Sequence, residues 1–281
     1  MRRLAASALR RVLDVADERR RLDERTAPAT KIALRSLFLD YRQLVEGGAR
    51  LPSVWETGFR VFSQFDEDGV ILFLLAVAGP GPRKFVELGA GDGVFASNCA
   101  NLAVNLGFHG LFAEAREGQV EVGRRFYARH PDTKDEPPVF ASAFLTRENV
   151  NDIVRSAGLE GEIDLLSIDV DGNDYWLWEA LACVSPRFVV IETHPKLGLH
   201  EDYVMPYEPR FDVASMAPGT RVGASPTAMT RLAERLGYRL VGANVYGFNV
   251  FYARSDVAQQ LPTIQVRDLM RYGAYGRPPT N

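Results

Sequence analysis

Phe85-Val86-Glu87-Leu88-Gly89-Ala90-Gly91-Asp92-Gly93 is the stretch from which the fold can be read. An apolar strand runs into three alternating glycines, and a helical pattern follows over residues 96–106. Glycines at the carboxyl end of a first strand permit a tight turn and let the backbone approach a bound nucleotide. A second apolar run, 110–114, ends in Glu114, 21 positions after Gly93. That spacing suits a carboxylate accepting hydrogen bonds from two ribose hydroxyls. The dinucleotide fingerprint G-x-G-x-x-G fails from Gly89, because Val94 holds the third glycine position; a looser match runs from Gly91 to Ala96. Glu87, two residues before the first glycine, suits a cationic ligand end and not a pyrophosphate.

Outward from this loop, strands are expected at 84–88, 110–114, 138–144, 164–169 and 187–192. Helices are expected at 96–106, 118–130, 147–156 and 175–184. Successive βα units imply a parallel sheet with helices on both faces. Beyond a helix at 227–236, the runs 238–243 and 248–253 are so closely spaced that only an antiparallel hairpin fits. The expected fold is α/β and Rossmann-like: a seven-stranded, mostly parallel sheet with an antiparallel last strand and a helical N-terminal extension. Leu4, Ala8, Leu9, Val12, Leu13 and Ala16 share one helical face, and further helices are expected at 30–46 and 66–78. The divisions are a helical extension at 1–60, the main domain at 61–260 and a tail at 261–281.

The hairpin-closed parallel sheet is the layout of class I methyltransferases. Glu87-x-Gly89-x-Gly91-x-Gly93 resembles their first motif, and Glu114 their ribose-binding acid. Ser63-Gln64-Phe65-Asp66-Glu67-Asp68-Gly69 and Leu166-Ser167-Ile168-Asp169-Val170-Asp171-Gly172-Asn173-Asp174-Tyr175-Trp176 resemble two further signatures of FkbM-like methyltransferases. The resemblance spans roughly residues 60–255, with one departure: glycine is usual where Asp66 stands. It implies S-adenosylmethionine as cofactor, bound by Gln64, Glu87, Gly89, Gly91, Gly93, Glu114, Ser142 and Asp169. It also implies methylation of hydroxyls, often on sugars.

Asp169, Asp171 and Asp174 crowd into six residues after the fourth strand, at the sheet edge where open α/β folds bind ligands. Such acids are good ligands for hard cations; alternatively, Asp171-Gly172-Asn173 forms a turn and Asp174 caps the next helix. Glu192 ends the neighbouring strand, so its carboxylate should lie near Asp169. By similarity to sugar O-methyltransferases that hold magnesium on these two strand ends, Asp169, Asp171 and Glu192 are candidate ligands for Mg2+ or Mn2+. His194 and Asp169 are the candidate catalytic groups, with His194 a general base for a hydroxyl. The long aperiodic stretch 195–226 reads as a lid or acceptor loop. Tyr203, Tyr207 and Arg210 within it, and Asn244 in the hairpin, are candidate acceptor contacts.

The acceptor itself is expected to be a sugar or glycan, and a methylated-mannose polysaccharide precursor fits. The N-terminal arm could cover a partner subunit in a homo-oligomer. The net charge of -3 argues against nucleic acid as the main partner. No run approaches the roughly 18 apolar residues of a membrane span. Cys99 and Cys183 fall in apolar helical stretches without metal spacing and read as buried thiols of a cytoplasmic protein. The alternatives are a scaffold that keeps the cofactor fold without catalysis, and an NAD-dependent enzyme.

Overall fold

Seven strands form one sheet in the order β3-β2-β1-β4-β5-β7-β6 in the computed structural model, which describes residues 22–217 and 219–270. They are β1 (Lys84–Leu88), β2 (His109–Glu114), β3 (Val139–Ser142), β4 (Gly161–Ile168), β5 (Val184–Glu192), β6 (Tyr238–Ala243) and β7 (Asn249–Arg254). The first five pair in parallel. β7 slots between β5 and β6, antiparallel to both. This is the expected fold class, and the order reverses between β1 and β4, opening a crevice beyond their carboxyl ends. The arm helix expected over 4–16 lies outside the described residues.

Side chains alternate between two cores. Phe85, Phe112, Leu165, Phe188, Val190 and Phe251 face one cluster, shared with helices α2 (Glu67–Ala78) and α3 (Ala100–Leu106). Helix α1 (Pro28–Glu46) caps that cluster through Phe38, Tyr41 and Val45; the Tyr41 ring meets Phe73 edge-on at 5.0 Å. Val86, Leu111, Leu166, Val189, Ile191 and Val250 face the other. There they meet α5 (Val150–Ser156), α6 (Asp174–Ala180) and α7 (Pro226–Arg235). Helix α4 (Glu117–Tyr127) packs on β2 and β3. α2 is buried on nearly every side, which explains its unbroken apolar run from Val70 to Ala78. No helix of the described residues is long and apolar enough to cross a membrane.

Two of the helices that fall short of their periodicity do so because a side chain captures backbone donors. The helix expected over 96–106 starts only at Ala100, since Glu87 and Ser97 accept the N–H groups of residues 98–100. The helix expected over 175–184 stops at Ala180, because Asn151 Oδ1 accepts the N–H groups of Ala182 and Cys183. Val184 therefore opens β5, and neither cysteine is inside a helix; Cys99 is buried and Cys183 only partly so.

At the end of the sheet opposite the crevice, Asp164 and Arg187 form a buried ion pair at 2.7 Å. Arg187 also donates to the carbonyls of Ala78 and Gly79, and Asp164 accepts from the Lys84 N–H. The pair joins β4 and β5 to the turn after α2. Asp164→Ala would leave the guanidinium buried without its counter-charge, and should lower the unfolding free energy by about 3–5 kcal/mol. Urea denaturation checks this; a loss under 1 kcal/mol would mean that water reaches Arg187.

Candidate functional site

The glycine loop is held in shape from below. Gly89 and Ala90 both donate to the Ala113 carbonyl, joining the loop to the end of β2. Gly89 has φ 81°, and a Cβ there would lie 1.7 Å from the Asp169 carbonyl oxygen, so no other residue fits. Glu87 lies beneath the loop, 5% exposed. It accepts from Ser97 Oγ at 2.6 Å and from the N–H groups of Asn98 and Cys99. Burial raises its pKa to about 7 against the pull of those hydrogen bonds. The free anion expected at this position is thus spent on the chain itself.

Glu114 is the strand-end carboxylate that stands open to the cavity. Its Oε2 accepts from the Gly91 N–H at 3.0 Å, across the loop. Its Oε1 takes the N–H and Nε–H of Arg116. Burial raises its pKa, but the hydrogen bonds from Arg116 and Gly91 outweigh this and hold it below the ordinary value. Glu114 is therefore an anion at neutral pH. It borders a cavity of about 520 Å³ whose wall includes Gly89, Arg116, Phe144, Asp169, Asp171 and Phe211. Arg116 and Phe211 are wall residues that the sequence reading did not single out. Proximity to Glu114 was a signal for the first; the second lies in the 195–226 stretch read as a lid or acceptor loop, and its ring packs over Gly172.

Asp169, Asp171 and Glu192 each offer an oxygen within 4.8 Å of the others. Asp174 does not join them. Its carboxylate accepts from the N–H groups of Val170 and Gly172, closing the turn in which Asp171 takes φ 59°. Burial, then the charges of Asp174 and Asp171, push the Asp169 carboxyl well above its usual range; burial, then Asp169, do the same to Glu192. His194 Nε2 lies 3.6 Å from Glu192 Oε2, and neither atom has a hydrogen-bond partner although both are buried. Burial lowers the His194 pKa, leaving a neutral imidazole at pH 7.

The remaining expected contacts stand elsewhere. Gln64 is exposed and does not line the cavity; on β3, Ser142 also misses it, and the next residues, Ala143 to Leu145, form the wall. Tyr203 stacks under Arg221, with the guanidinium carbon 4.0 Å from the ring centre. Tyr207 donates to Glu148 at 2.7 Å. Arg210 borders a separate shallow hollow beside Phe144 and Thr146. Asn244 is fully buried; it and Asn249 both donate to Glu67 Oε1, at 2.9 and 2.8 Å. The segment around Ser63 also bonds to its own chain: Asp68 Oδ2 accepts from the N–H groups of Val61, Phe62 and Ser63, while Asp68 Oδ1 is buried without a partner. Glu67 stands inside a quoted motif, but no spacing reveals partners 177 and 182 residues away.

No protein-family model matches the chain, and neither does any curated protein sequence. Among solved structures it is similar to the N-terminal domain of EvdMO1 with SAH bound, at 16% identity and TM-score 0.45 over 78% of this chain and 96% of that one. It is similar to an O-methyltransferase from Bacillus cereus in complex with SAH, at 14% identity and TM-score 0.43, covering 77% and 89%. A third is the magnesium protoporphyrin IX methyltransferase ChlM from Synechocystis PCC 6803 with bound SAM, at 16% and 0.41, covering 80% and 97%. At such scores the likeness decides nothing about chemistry.

The acid cluster has a consequence for stability that needs no ligand. Asp169 and Glu192 keep protons in the folded chain that the unfolded chain has released, so stability falls as pH climbs above the ordinary carboxyl range. Glu192→Gln removes one of the two groups and should flatten that fall. Urea midpoints at about pH 5, 7 and 9 test it; equal slopes in both proteins would refute the repulsion.

Proposed function

We propose that this chain is an S-adenosylmethionine-dependent O-methyltransferase of the FkbM-like kind, acting on a sugar or glycan hydroxyl. The observation that carries this reading is Glu114, an anion bonded to the glycine loop at Gly91 and bordering a cavity that runs to Asp169. Glu114 accepts the ribose hydroxyls, Phe144 and Leu145 supply an apolar wall for the adenine, and Asp169 faces the ammonium end. S-adenosylmethionine, when bound, supplies a methyl group already activated by its sulfonium sulfur.

Two features weigh against a dinucleotide. Its pyrophosphate would need a helix N-terminus at the glycine loop, but α3 begins only at Ala100, seven residues past Gly93. The acids Glu114 and Asp171 on the cavity wall would also disfavour phosphate, since the Arg116 beside them is already paired with Glu114. A catalytically silent scaffold would have no use for the unpartnered, buried His194 Nε2 beside Glu192.

The chain's own chemistry is deprotonation and positioning. An acceptor hydroxyl at the carboxyl ends of β4 and β5 gives its proton to neutral His194, and the charges of Asp174 and Asp171 stabilise the resulting imidazolium. The three converging oxygens of Asp169, Asp171 and Glu192 also fit a cation with ligand distances of about 2.1–2.6 Å. A Mg2+ or Mn2+ ion held there would make the hydroxyl more acidic.

Calorimetry with S-adenosylhomocysteine should show binding, and Glu114→Ala should weaken it by about 1.5–3 kcal/mol, the range for hydrogen bonds to a charged group. A protein that binds NAD and ignores S-adenosylhomocysteine would overturn the reading. Methyl transfer from labelled S-adenosylmethionine to a glycoside panel separates the two routes of deprotonation. His194→Ala should cut kcat by about 10²–10⁴-fold while sparing cofactor affinity. Loss of turnover in EDTA, with His194→Ala within about threefold of wild type, would instead give the work to a cation.

A further inference from the structure

The expected acceptor contacts on the 195–226 stretch do not meet at the acid cluster, but three aromatic rings gather where the β6–β7 hairpin is bonded to Thr193, the residue between Glu192 and His194. Phe65 packs edge-on against Tyr246 and Phe248, with ring centres 4.5 and 5.6 Å apart, and Tyr246 and Phe248 lie nearly parallel at 6.4 Å. All three are partly exposed. We propose that Phe65, Tyr246 and Phe248 form the platform on which the acceptor sugar ring lies while its hydroxyl is presented to Glu192 and His194. This deepens the function proposed above and rests on it.

Backbone bonds tie the hairpin that carries Tyr246 and Phe248 to the end of β5. Thr193, between Glu192 and His194, donates both its N–H and its Oγ1–H to the Phe248 carbonyl, at 2.7 and 3.1 Å. Asn249, the next residue, stands directly opposite Glu192 across the β5–β7 ladder. Phe65 is held from its own side: its N–H donates to Glu67 Oε2, while Glu67 Oε1 takes Asn244 and Asn249. Asp66 Oδ1 accepts the Val245 N–H, closing the clamp on the hairpin turn. Val245 to Phe248 is thus pinned by two segments far apart in sequence.

The chemistry of the place selects a sugar. Pyranose rings have apolar C–H faces that rest on aromatic rings and hydroxyl edges that need both donors and acceptors. Gln64, exposed and adjacent to Phe65, supplies both from one carboxamide, and the unpartnered Glu192 carboxyl is a further hydrogen-bonding group. A purely cationic ligand would use the rings and the carboxylate but would find no use for the amide N–H groups.

Saturation-transfer NMR on the full chain with S-adenosylhomocysteine present, using methyl glycosides of mannose, glucose, galactose and fucose with choline as control, tests the assignment. At least one glycoside should bind the wild type and Tyr246→Phe alike. Tyr246→Ala and Phe248→Ala should each raise its dissociation constant about tenfold, with S-adenosylhomocysteine affinity and melting behaviour of Tyr246→Ala unchanged. Equal glycoside binding by wild type and both alanine variants would overturn the platform, as would choline binding where no glycoside does, or no glycoside binding to a protein that binds S-adenosylhomocysteine. Failure to bind S-adenosylhomocysteine itself would strike the proposed function instead.

Discussion

Glu87, Glu114, Asp169 and Glu192 leave the same face of the sheet because each stands an even number of residues after an apolar side chain buried on that face. Those anchors are Phe85, Phe112, Leu165 and Phe188, all in the cluster beneath α2 and α3. A side chain in a strand can only follow the parity its neighbours set. Burial of four large apolar groups therefore fixes where four carboxylates emerge at the crevice. A slip of one residue in any strand would trade an acid for a core side chain and lose both. The polar site and the apolar core are consequences of one register.

Within that frame the four acids have different fates, set by which donors surround them. Glu87 meets Ser97, Asn98 and Cys99 and becomes part of the loop's support. Glu114 meets the Gly91 N–H and Arg116 and stays an anion at the cavity wall. Asp169 and Glu192 meet mainly each other and Asp171, so that proton, cation or ligand must relieve them. Tools as coarse as strand periodicity place such groups, but their ionisation is decided by hydrogen-bond donors that approach from other segments.

That division marks how far the sequence was legible. The glycine run, the acid at 114 and the alternating units were sufficient for the sheet and for the crevice, since each is a local pattern. Helix ends were less legible, because Glu87 and Asn151 draw backbone donors away through side chains that periodicity ignores. The acceptor side was the least legible. Asn244 looked like a ligand contact and is a buried partner of Glu67, a pairing across 177 positions that no spacing announces. Tyr203 and Tyr207 looked like free binding groups, and each is engaged by a neighbour, Arg221 and Glu148.

The clamp between Glu67 and the hairpin also orders events during synthesis. Strands β1 to β5 and their helices can pair as soon as they leave the ribosome, since nearly all their partners are earlier or close in the chain. Glu67 then waits, its carboxylate lacking both amides, until Asn249 has been made, 182 residues later. A nascent chain halted at β5 would hold an almost finished crevice with an open flank and a charged group at its edge. The last hairpin closes the sheet, and its arrival completes the site.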